Sequence, residues 1–142
     1  MSDPRATVDF TGIGYRAETF LIDNSTITYS ATSANGSASV GLAVTLSSDK
    51  TVALVADGED VLGKLISVDA DNMAVVQTKG YCTLPGGTSA TLTLGEKIVG
   101  DLLVAAKGYI RVVATGTASE LGHARGRIID NDTTTAVVVD LG

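Results

Sequence analysis

Turn-forming residues interrupt this chain about every ten positions between Val40 and Val113, and that spacing limits what it can fold into. The interruptions are Ser48-Asp49-Lys50, Asp57-Gly58-Glu59-Asp60, Asp69-Ala70-Asp71-Asn72, Pro85-Gly86-Gly87 and Gly95-Glu96-Lys97. The runs between them are rich in Val, Ile, Leu and Thr, the composition of half-buried strands. None is followed by the long helical pattern that a parallel crossover requires. The pattern therefore predicts an all-β chain, a mostly antiparallel β-sandwich or barrel.

The pattern also gives expected elements. Strands are expected at Thr26–Ser30, Val40–Leu46, Thr51–Val55, Val61–Val68, Met73–Leu84, Thr91–Leu94, Ile98–Val104, Tyr109–Ala114, Arg127–Asp130 and Ala136–Leu141. Alternation puts Val40, Leu42, Val44 and Leu46 on one face. Gly63 inside a strand predicts a bulge or a neighbour packed against the backbone, and Gly80 predicts a bend in its long strand. Further turns are expected at Ala106-Lys107-Gly108 and at Asp130–Thr133. Thr117–Arg125 (TASELGHAR) is the one short helical turn, limited by Gly122 and Gly126. Residues 1–25 mix Phe10, Tyr15 and Phe20 with glycines and charges without clean periodicity. They read as an extended N-terminal arm, ahead of a single β domain over 26–142.

A formal net charge of −6 with scattered Lys and Arg argues against nucleic-acid binding, which calls for a basic stripe. Cys82 is the sole cysteine, so no intrachain disulfide can form, and its apolar setting marks it as a small buried hydrophobe. No apolar run approaches the roughly 18 residues of a membrane span, so no membrane partner is expected. Met1–Phe10 shows neither the charged start nor the apolar stretch of a secretory leader.

Candidate chemistry fails residue by residue. Ser47-Ser48-Asp49-Lys50 has S-x-x-K spacing, but in a turn rather than on a helix, and without companion motifs. The acidic turns at Asp57-Glu59-Asp60, Asp69-Asp71-Asn72 and Asp130-Asn131-Asp132 lack a calcium-loop frame. Gly12-Ile13-Gly14 lacks the third glycine of a nucleotide fingerprint. His123, Arg125 and Arg127 read as solvated turn residues. The expectation is a non-enzymatic protein without metal or other cofactor.

From Val40 to the C-terminus the chain resembles the tailed-phage capsid decoration, or cement, proteins. The carriers are the run VGLAVTL, the ADG turn, VLGKL, the V-Q-x-x-G-Y strand from Val76 to Tyr81, LTLGEKIVGDLLVAAKGYIRVV, HARGRIIDND and the closing VVV. The resemblance implies a homotrimer on the outer capsid surface of a virion, made in the host cytoplasm. There it would bind the major capsid protein at subunit junctions and stabilise the shell. Residues 1–25 could add a strand to the capsid, with Phe10, Ile13, Tyr15 and Phe20 as anchors, since aromatic and large apolar side chains bury much area with few rotors. Two alternatives share the scaffold: a tail or baseplate component, and a carbohydrate-binding β module, against which the lack of tryptophan counts.

Overall fold

The computed structural model describes residues 13–88, 92–114 and 118–142. It is an all-β protein, as the turn spacing predicts. Five strands close into a barrel: β1 (Arg16–Ile22), β2 (Ala43–Ser48), β3 (Thr51–Leu54), β4 (Gly63–Val68) and β5 (Met73–Lys79), in the order β1-β3-β2-β4-β5. All the pairings are antiparallel except the short parallel one between β1 and β3.

After Gly80 the chain leaves the barrel. Strands β6 (Tyr81–Leu84), β10 (Val137–Asp140) and β9 (Arg127–Asp130) form a second sheet in the order β6-β10-β9. Strands β7 (Ile98–Leu103) and β8 (Ala106–Val112) form a hairpin. Backbone bonds stitch the hairpin to that sheet on both sides. Ile110 N donates to Pro85 O at 3.0 Å, and Ile98 and Arg125 exchange N–H···O bonds at 3.0 and 3.2 Å. The only helix among the described residues longer than a 3-10 turn is α1 (Ala118–His123).

Two adjoining hydrophobic cores result. Val44, Val52, Leu65, Val68, Ala74, Val76, Ile22 and Ile27 fill the barrel. Val55, Val61, Cys82, Leu84, Ile98, Ile110, Ile128, Val137 and Val139 fill the second body, with Ala43 and Leu141. Strand alternation explains how one segment serves both: Ala43 faces the second core and its neighbour Val44 the barrel. The first half of β2 is a shared wall, so Ala43, Val44 and Thr45 are all buried where a sheet open to solvent would bury one face, while Leu46–Ser48 are exposed.

Four expectations need correction. First, much of the expected arm is barrel wall: Arg16–Ile22 is β1, paired with β5 from Arg16↔Lys79 to Leu21↔Met73. Phe20 and Ile22 are two residues apart and both pack on the barrel core, while Leu21 between them is exposed. Second, Thr26–Ser30 is a loop. The Asp23 carboxylate accepts the backbone N–H groups of Ser25, Thr26 and Ile27 at 3.4, 3.1 and 3.0 Å, winding the chain into a turn that inserts Ile27 into the barrel. Third, β2 begins only at Ala43, and Leu46 is exposed rather than sharing the buried row of Val44. Fourth, Leu92–Leu94 is not a strand, and the β7–β8 hairpin reverses at Val104-Ala105, with Ala106-Lys107-Gly108 already inside β8.

Candidate interaction surface

The entry of the chain into the barrel is held by a crossing of two glycines. Gly80 turns at φ +92°, and a Cβ there would lie 2.6 Å from the Ile13 oxygen and the Gly14 carbonyl carbon. Only glycine permits both the conformation and the approach. Tyr81 N donates to Ile13 O at 2.9 Å, locking the entry in place. The buried Gln77 amide braces the far side, donating to Lys79 O and Tyr81 O, both at 3.1 Å. On this fixed backbone Ile13 is 57% exposed and Tyr15 51%.

The four expected anchors therefore separate. Ile13 and Tyr15 stand on the surface. Phe20 is partly buried and packs against the protein's own barrel core. Phe10 lies outside the described residues.

A second apolar projection is the tip of the β7–β8 hairpin, where Leu103 is exposed and Val104 is 86% exposed. Val104 adopts φ +61°, the left-handed region that disfavours β-branched side chains. The tip is pinned nonetheless. Val104 N donates to Thr88 Oγ1 at 2.6 Å, and Thr88 N to Leu102 O at 2.8 Å. Nothing in the sequence pattern marks this strain, because it depends on Thr88 from a distant segment.

The polar residues act within the fold. Arg111 bridges Asp57 at 2.9 Å and Glu120 at 2.7 Å, tying α1 to the acidic turn, while His123 Nδ1 lies 3.3 Å from Gly58 O. Burial would lower the Arg111 pKa, but the two carboxylates outweigh it and raise it. Arg125, expected to be a solvated turn residue, is half-buried and donates to four backbone carbonyls. Burial lowers its pKa, opposed by Asp60. Cys82 is buried, and burial pushes its thiol up to about 11 despite Lys64 and Arg125. The S-x-x-K segment spans the end of β2 and the turn to β3, with Lys50 at φ +55°.

Among the described residues no three His, Cys, Asp or Glu side chains are placed to hold a metal ion, and no helix is long and apolar enough to cross a membrane. Comparison of the chain with protein-family models, with curated proteins and with solved structures finds no match.

Proposed function

We propose that this protein decorates the outside of a phage capsid. As a homotrimer it would bind the major capsid protein where subunits meet and brace the shell. The observation that carries the proposal is the glycine crossing, which presents Ile13 and Tyr15 to solvent from a backbone hydrogen-bonded to Tyr81. The motifs of the decoration-protein resemblance support it, because they fall on scaffold positions. The glycine of VLGKL opens β4 against Gln77, the Gly-Tyr pair is the crossing itself, and HARGRIIDND contains Arg125 and β9.

The physical logic is multivalency. Each of these side chains is already about half-buried, so covering the rest is worth roughly 1 kcal/mol apiece. One such contact is weak. Three copies on a closed cyclic trimer, meeting three equivalent patches, raise avidity by about 10² to 10⁴ over one site. The gripping role narrows to Ile13 and Tyr15 together with the segment before them, because β1 belongs to the barrel. Deleting residues up to 20 would remove most of a barrel strand, so point changes make the cleaner test.

The test is co-sedimentation of an Ile13→Ser/Tyr15→Ser double variant with expanded capsids of the major capsid protein encoded with this chain. Binding weakened by about tenfold or more is expected, with the circular dichroism spectrum unchanged. Undiminished binding of the folded variant would sink the proposal. Light scattering provides a second check: a soluble trimer agrees, whereas rings of six or open tubes point to a tail component.

A further inference from the structure

The loop from Tyr29 to Gly36 folds back over the end of β4 and, with the β4–β5 turn, encloses an open cavity of about 400 Å³. Both walls are built before any ligand arrives. On the loop side, Ser30 N donates to Gly36 O at 2.8 Å and Gly36 N to Ser33 O at 3.2 Å. Gly36 sits at φ +87° with its α-carbon pressed on the Val68 carbonyl, and the Tyr29 ring lies 3.5 Å from where a Cβ would be. On the turn side, Asp69 N donates to Met73 O at 2.8 Å and Asn72 N to Asp69 O at 3.0 Å.

The lining selects a ligand class. Tyr29, Ser33 and Ser67 offer hydroxyls that donate or accept, the Asn35 amide does both, and the Asp69 carboxylate accepts. Among the described residues no Lys or Arg lines the cavity, so a phosphate or carboxylate ligand finds no counter-charge there. The polar lining gives a purely apolar ligand little to gain. A neutral molecule dense in hydroxyls, with an apolar C–H face for the Tyr29 ring, suits this lining, and a cation drawn to Asp69 is the competing ligand that the tetramethylammonium control tests. The volume lies near the lower end of the ~300–1,000 Å³ typical of small-molecule sites.

We propose that this cavity binds a neutral saccharide unit, stacked on Tyr29 and hydrogen-bonded by Asn35 and Asp69. The proposal is independent of capsid binding, since the cavity lining includes neither Ile13 nor Tyr15.

The test uses the isolated protein, labelled with ¹⁵N. It is titrated separately with the methyl glycosides of glucose, galactose, mannose and N-acetylglucosamine. At least one should give saturable amide shifts confined to residues 29–36 and 67–70, with Kd on the order of 1–10 mM. Tyr29→Ala should weaken that binding about two- to tenfold, and Leu121→Ser on α1 should leave it unchanged. Asp69→Asn asks the same question at an exposed position should Tyr29→Ala fail to fold. Absence of saturable shifts with all four glycosides would overturn the proposal. So would shifts that ignore both Tyr29→Ala and Asp69→Asn, or a response to tetramethylammonium alone.

Discussion

Replacing Arg125 by methionine removes a guanidinium that holds four carbonyls at once. Nη1 donates to Leu62 O at 2.7 Å and Val61 O at 3.3 Å, and Nη2 to Leu141 O at 2.6 Å and Thr78 O at 3.0 Å. The acceptors come from the approach to β4, from β5 and from the residue after β10, so one side chain joins the barrel to the second body. Hydrogen bonds from a charged donor are worth about 1.5–3 kcal/mol each. The two short ones set the scale, and the long bond to Val61 adds little. Against them stands the cost of half-burying the charge, visible in the lowered pKa of Arg125. The net loss in Arg125→Met comes to about 3 kcal/mol, since methionine keeps the unbranched stem and its packing. With no tryptophan in the chain, urea unfolding is followed by far-ultraviolet circular dichroism. A slope of about 2 kcal/mol/M moves the midpoint down by about 1.5 M. Arg125→Lys should recover less than half, because an ammonium cannot fork toward acceptors on both sides. A methionine variant within about 0.3 M of the parent would refute the reasoning, and so would full rescue by lysine.

Three further outcomes follow from the same geometry. Val104→Gly relieves a left-handed β-branched residue and should raise stability by about 1 kcal/mol, or roughly 3 °C in Tm; a fall in Tm would contradict the strain. Cys82, its thiol held near 11 by burial, should react with a thiol-specific disulfide reagent at about pH 8 only in step with unfolding. Rapid labelling of the folded protein would refute that. For Asp23, burial alone would raise the pKa, but hydrogen bonds from Thr26, Ile27 and Ser25 together hold it at about 2. The folded value lies below the unfolded one, so its stabilisation is full above about pH 4 and fades as the pH falls toward 2. Asp23→Asn should accordingly lower Tm near neutrality, with the gap to the parent closing over that interval; a gap independent of pH would be evidence against it.

Local chemistry made part of this fold legible and hid the rest. Gly80 and Gly63 were readable because a glycine inside an apolar strand has few other uses, and both meet neighbouring backbone. β1 was not, because Phe20 and Ile22 are its only large side chains in the barrel core, too few to show a period of two beside Arg16 and Glu18. Thr26–Ser30 alternates like a strand, yet the Asp23 carboxylate competes for its amides and wins. Val40–Leu46 misleads in another way: a wall between two cores buries consecutive residues, so alternation stops reporting which side is wet. Of the candidate anchors, Ile13 and Tyr15 are exposed and Phe20 packs on the barrel core, a division that the aperiodic run over residues 1–25 does not show. Arg125 left no signal, since its four acceptors come from segments 16 to 64 positions away.

The glycine crossing has one more consequence. Tyr81 N binds Ile13 O, and the adjacent Gly80 O receives Leu141 N at 2.9 Å. The single Gly80–Tyr81 peptide group in mid-chain thus clasps the incoming segment with its N–H and the outgoing segment with its C=O, one on each side. Topologically the fold is almost a ring, cut at that clasp. A circular permutant that splices Leu141 to Ile13 through a short flexible linker, with new ends opened in the exposed loop at 132–134, would keep every strand pairing.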